Sequence, residues 1–196
     1  MEHQGIRVVT ITGSVRPGNY TSKALALVID ELKKKQVTVT HVDPAEMDLP
    51  FPGQVKDAAA TERLKAAVAP ADGVVLATPE YHGSFSSVLK LVIENLGFPS
   101  VLAGKPVALL GAAGGAIGAV KSLEQLRGVC SHVGALVLPG SVSVANVRSV
   151  FDAAGRCLDG PTEARIRGVA TGLLDYLHGH VCPKLTLERM VRGEAA

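Results

Sequence analysis

Short apolar, β-branched runs alternate with stretches of helical period along this chain, and few folds accept that pattern. Ile6 to Thr12 reads as a first strand; Leu25, Val28, Ile29 and Leu32 then recur at i, i+3, i+4 and i+7, the spacing of an amphipathic helix. Val37 to Val42, Gly73 to Thr78, Pro106 to Leu110 and Ala135 to Leu138, resuming at Val142, read as further strands. Between them helices are predicted around 61–69, along a face bearing Phe85, Val88, Leu89, Val92 and Leu96, and over 117–133. Pro161 is expected as the first residue of a last helix, with Ile166, Val169, Ala170, Leu173 and Leu177 on one side. The prolines and glycine of DPAEMDLPFPG, residues 43–53, predict an irregular loop. Strands this apolar are covered on both faces, so the expected class is α/β: a doubly wound sandwich around a parallel sheet of about five strands.

Length and composition bound the rest. At 196 residues, 47% hydrophobic and with a mean hydropathy of +0.27, the chain is read as one domain, 1–196, with its core over about 6–180 and a tail over 183–196. Its 20 basic and 18 acidic residues are interspersed, which argues for neither a nucleic acid nor a membrane surface as partner. The densest basic spot, Lys33 to Lys35, falls where the first helix ends and compensates its dipole. The longest uncharged stretch, Pro106 to Val120, is broken by glycines and is shorter than the ~18 residues of a membrane span. MEHQGIRVV lacks the regions of a signal peptide, and Cys130, Cys157 and Cys182 form no C-x-x-C pair, so a cytoplasmic protein with reduced thiols is expected. His178, His180 and Cys182 alternate at a helix end, a poor geometry for metal ligands, and no metal is expected.

In a doubly wound sheet the loops leaving the carboxyl ends of the strands open on one edge. Three unusual loops should therefore meet there: Gly13 to Ser22, Pro79 to Gly83 and Gly111 to Gly118. The first joins a turn glycine to the hydroxyls of Ser14, Thr21 and Ser22, the Asn19 amide and the Arg16 guanidinium, ahead of a helix whose first N–H groups lack partners. A helix cap needs only one such side chain, so the surplus polarity points to a phosphate. The loop lacks both the G-x-G-x-x-G of dinucleotide sites and the G-K-[ST] of nucleotide-triphosphate sites, which favours a terminal monophosphate, as in FMN. The second loop offers Pro79 for stiffness, Tyr81 for a ring face, and Glu80 and His82 at the mouth. The third offers bare backbone from Ala113 through Gly114 and Gly115 to Ala116, beside a helix start, where negative charge on a reduced flavin would be stabilised.

Together these stretches resemble a known family. GSVRPGNYTSKAL resembles the phosphate loop of NAD(P)H-dependent FMN reductases, PEYHGSFSSVLK their flavin loop, and GGAIGA, followed by a helix bearing Leu126 and Arg127, their third loop. The resemblance runs from about Ile6 to Val144. It implies a flavodoxin-like fold, non-covalent FMN, homodimers or homotetramers, and reduction of flavins, quinones or azo compounds by NADH or NADPH. It assigns Ser14, Arg16, Asn19, Tyr20 and Thr21 to the phosphate and ribityl chain, Pro79, Glu80, Tyr81 and His82 to the ring system, and Ala113, Gly114 and Gly115 to the pyrimidine side. No catalytic side chain is expected, since flavin N5 carries the hydride. The competing reading is a flavodoxin-type electron carrier, which the net charge of +2 disfavours, because such carriers are strongly acidic.

Overall fold

Seven strands build one parallel sheet with a single antiparallel hairpin: β1 (Arg7–Thr12), β2 (Thr38–Val42), β3 (Gly73–Tyr81), β4 (Ser84–Phe85), β5 (Pro106–Ala112), β6 (Leu136–Val137) and β7 (Val142–Val144). The computed structural model describes residues 5–54 and 58–183, with Leu187 and Val191 beyond them, so most of the expected tail lies outside the described residues. Across the sheet the order is β2-β1-β3-β5, with β6 and β7 both pairing in parallel with β5. β6 and β7 are thus two pieces of one fifth position, which gives the flavodoxin-like order 2-1-3-4-5. The strand order reverses between β1 and β3, and ligands of such sheets bind at that point.

Helices α1 (Tyr20–Lys34), α2 (Ala59–Val68), α3 (Ser87–Asn95), α4 (Val120–His132), α5 (Val147–Val150) and α6 (Gly160–Tyr176) complete the sandwich. Successive strand residues face opposite sides, so Val8 and Val9 of β1 enter different cores. On one side Leu25, Val28 and Leu32 of α1 and Ile166, Ala170 and Leu173 of α6 pack over Val8, Val75 and Leu110. On the other, Leu64 of α2, Leu89 and Val92 of α3 and Leu126 of α4 cover Val9, Ile11, Leu76 and Leu109. Burying each such leucine stabilises the fold by about 2 kcal/mol. Arg167 ties the first pair of helices together, donating to Asp30 Oδ2 (2.6 Å), Glu163 Oε1 (2.8 Å) and the Leu27 carbonyl (3.3 Å).

Several boundaries differ from expectation for local reasons. β3 runs past Thr78 to Tyr81 and turns back into β4 through His82 and Gly83, both with positive φ (51° and 75°), the backbone of a two-residue hairpin. Phe85 therefore belongs to a strand, and α3 starts only at Ser87, where Ser86 Oγ accepts from Leu89 N–H (3.1 Å). α4 begins at Val120 rather than 117, because Gly118 turns the chain with φ +77°. The fifth position breaks at Pro139–Ser141, where the Arg127 guanidinium donates to the Leu138 carbonyl (3.1 Å) and to Ser141 Oγ (2.7 Å). Pro161 is the second residue of α6, after Gly160, and Asp159 caps that helix. One turn of 3-10 helix, Pro44–Glu46, stands within the stretch read as irregular, capped by Asp43.

Candidate functional site

The three loops meet at the reversal of strand order, and Gly13 is the joint. Its N–H donates to the Ala77 carbonyl (2.7 Å) and its carbonyl accepts from Ser86 Oγ (2.5 Å), so it links β1 to β3 and to the start of α3. A Cβ there would stand 2.7 Å from that Ala77 oxygen, which only glycine avoids. Ser86 N–H in turn donates to Thr78 Oγ1 (3.1 Å), and this buried polar network fixes the floor under loops one and two.

Above the floor lies a cleft of about 300 Å³. Ten of the twelve residues expected at the site line it: Ser14, Arg16, Asn19, Tyr20 and Thr21 from loop one, Pro79, Glu80 and Tyr81 from loop two, and Ala113 and Gly114 from loop three. His82, at the hairpin tip, and Gly115 do not. The lining also includes Pro17, Gly18, Ala112, Val147 and Arg148, which sequence reasoning missed. Pro17 and Gly18 sit inside the motif already singled out. Arg148 has no local signal, because α5 is one short turn brought to the cleft by distant bonds: Val147 N–H to the Ala113 carbonyl and Asn146 N–H to the Gly115 carbonyl, both 3.2 Å.

The polar groups divide into those that build the loops and those left to a ligand. Asn19 is a builder. Its Oδ1 accepts from Ser22 N–H (2.7 Å) as the cap of α1, and its Nδ2 donates to the carbonyls of Arg16 (2.7 Å) and Ser14 (3.4 Å). Glu80 is another: its Oε2 accepts from Ser122 N–H (3.1 Å) in the first turn of α4, clamping loop two to loop three and placing a negative charge at a positive helix end. Ser14 is different. Its residue is 3% exposed, and its Oγ is the one buried side-chain polar atom among the described residues without a hydrogen-bond partner. Such an orphan costs about 1–3 kcal/mol, which nothing in the protein offsets. The N–H groups of Tyr20 and Thr21, in the first turn of α1, have no helical carbonyl to meet. Those of Gly114, Gly115 and Ala116 donate to no backbone carbonyl among the described residues.

Arg16 crosses between loops, its guanidinium carbon 5.1 Å from the centre of the Tyr81 ring. A buried hydroxyl, free N–H groups at a helix start and an arginine form a donor set suited to a phosphate monoester, as an FMN-binding cleft requires. No carboxylate of the lining opposes it, since Glu80 is committed to α4. Among the described residues no group of His, Cys, Asp and Glu is arranged to hold a metal ion, and no helix is long and apolar enough to cross a membrane. Cys130 is buried, which pushes its thiol up to about 12 and keeps it un-ionised.

Residues 6–149 match the family of NADPH-dependent FMN reductases. The chain is 34% identical over 165 residues to an NAD(P)H-dependent FMN reductase of Pseudomonas aeruginosa, covering 79% of this chain and 85% of that protein. It is also 34% identical over 140 residues to an NADPH azoreductase of a Bacillus species, covering 70% and 75%. Among solved structures, the flavoenzyme NAD(P)H:(acceptor) oxidoreductase FerB of Paracoccus denitrificans superposes with a TM-score of 0.75 at 22% identity, over 89% of this chain and 98% of that one, which speaks for the fold alone. With a match across most of its length, and with three loops meeting at one cleft in the expected order, the chain belongs to the NADPH-dependent FMN reductase family.

Proposed function

We propose that this cleft seats FMN, with the phosphate in loop one and the ring system between loops two and three. Family membership makes the protein an NAD(P)H-dependent, FMN-linked oxidoreductase of small-molecule acceptors. Accepting a hydride from the nicotinamide and passing electrons onward is the chemistry that bound FMN supplies, so no side chain need act as acid or base in the first half-reaction. The residues bind and orient. Ser14 Oγ and the N–H groups of Tyr20 and Thr21 hold the phosphate, and Asn19 shapes the turn that presents them. Pro79 and Tyr81 wall the ring, and the Gly114 N–H, which lines the cleft and meets no backbone carbonyl among the described residues, faces its pyrimidine edge, where a donor stabilises developing negative charge. The observation that carries this reading is the orphaned, buried Ser14 hydroxyl in a cleft lined by an arginine.

Quinones, azo compounds and free flavins are the acceptor classes proposed, from what the related enzymes are named for. We further propose that the chain works as one cytoplasmic domain and as a homodimer or homotetramer. An exposed apolar groove between α3 and α4, with Phe98 85% exposed beside Ile93 and Val129, supports a second copy as its occupant. The test combines binding with turnover. FMN should bind more tightly than riboflavin, which lacks the phosphate, and NADPH or NADH should be oxidised in the presence of a quinone or an azo dye. Equal affinity for the two flavins would remove the phosphate from loop one, and absence of turnover with every acceptor would favour the electron carrier. Light scattering on the eluted protein at a monomer's mass would remove the oligomer.

A further inference from the structure

We propose that Arg148 recognises the 2′-phosphate of the nucleotide donor, so that the cleft favours NADPH over NADH. The inference rests on the reading of the cleft as a flavin-reductase site and adds a residue that no motif of the chain contains.

Two guanidinium groups line the cleft, Arg16 and Arg148, and among the described residues neither forms an ion pair. The only carboxylate of the lining, Glu80, accepts from Ser122 N–H. One FMN phosphate does not need both cations. Loop one already offers a buried hydroxyl, first-turn N–H groups and Arg16, and its Ser14 and Thr21 are 3% and 2% exposed, a setting for a ligand that stays. Arg148, exposed as Arg16 is, stands outside loop one, on α5 beside loop three, where a second anion could enter and leave.

Its position is fixed by the fold. Val147, the residue before it, is 4% exposed and bonded to Ala113, while Asn146 is bonded to Gly115 and adopts a left-handed backbone (φ 47°, ψ 41°). Ser149 Oγ donates to the Asn146 carbonyl (2.9 Å), closing the turn. A non-glycine residue persists in that conformation where its surroundings over-determine it, as here. The result is an unpaired cation carried on a turn stitched to loop three. The nicotinamide must approach the flavin through the open mouth, so the rest of the donor lies across the rim. NADH and NADPH differ there by one group, a phosphate monoester of nearly two negative charges, which a guanidinium binds in fork geometry.

The test uses the FMN-loaded protein and its Arg148→Gln and Arg148→Lys variants, with circular dichroism as a check of folding. Calorimetric titration with adenosine 2′,5′-bisphosphate and with 5′-AMP reads the 2′-phosphate without turnover. Wild type should prefer the bisphosphate, and R148Q should lose about tenfold of that preference, with R148K between them. The preference should weaken as salt is raised, as for an exposed charge pair. The ratio of kcat/KM for NADPH to that for NADH should fall in step. An unchanged preference in R148Q, or no preference in wild type, overturns the proposal. So does a loss of FMN-over-riboflavin selectivity in R148Q, which would assign Arg148 to the flavin phosphate. Failure of the wild-type protein to bind FMN would instead overturn the reading of the cleft itself.

Discussion

Replacing Ser14 by alanine should move stability and cofactor affinity in opposite directions. The hydroxyl is buried, without a partner, in a residue only 3% exposed. A buried polar group left unsatisfied costs about 1–3 kcal/mol, so deleting it should stabilise the flavin-free protein by about 1 kcal/mol. For a chain of this size that raises the Tm by roughly 2–4 °C. The neighbouring bond from Asn19 Nδ2 runs to the Ser14 carbonyl, so the loop keeps its shape in the variant. With FMN present the same hydroxyl donates to a charged phosphate oxygen, and its loss should cost about 1.4 kcal/mol, or tenfold in Kd. Thermal melts with and without FMN, together with flavin-fluorescence titration, read both quantities. S14A should melt higher than wild type without flavin and gain less from adding it. A variant that melts lower when flavin-free and binds FMN as wild type does would refute the reasoning, since the hydroxyl would then serve the fold rather than a ligand.

Other perturbations separate builders from binders. Glu80→Gln removes a charged acceptor from the first turn of α4 and should lower stability by about 1 kcal/mol in urea titration, a difference from wild type that shrinks as salt is added. Asp30 is held below the usual carboxylate range by hydrogen bonds from Lys34 and Arg167. Its contribution is therefore complete above the ordinary carboxylate pKa of about 4 and is lost as pH falls through the lower folded value. Asp30→Asn should flatten the decline in the urea midpoint below about pH 4 while leaving flavin binding intact. Cys130 is un-ionised up to about 12 and buried, so an aromatic disulfide reagent at neutral pH should label Cys157 well before Cys130. Equal labelling rates would mean that the core around α4 opens readily.

The sheet was legible because its period-two and period-3.6 patterns are strong and its strands are buried on both faces. β1, β3, β5 and their flanking helices follow from runs such as Val74 to Ala77, where every residue is buried. The β3–β4 hairpin was not legible, because a helical count accepts Phe85 beside Val88 and Leu89 as readily as a strand does, and the turn needs the uncommon positive φ of His82. Loop one gave its site away by excess polarity, yet sequence could not tell a ligand donor from a scaffold donor. Asn19 and Glu80 stand in the expected motif and are engaged by the protein's own N–H groups, whereas the buried Ser14 hydroxyl is left without a partner. Arg148 lay beyond local reasoning, since its place at the cleft depends on bonds from α5 to Ala113 and Gly115, over 30 residues earlier in the chain.

The central claim is tested most directly by an anaerobic titration of the FMN-loaded protein. Adding NADPH under nitrogen should bleach the visible absorbance of the bound flavin, and a quinone added afterwards should restore it. A protein that holds FMN but whose spectrum neither NADPH nor NADH changes would contradict the account and leave the cleft that of an electron carrier.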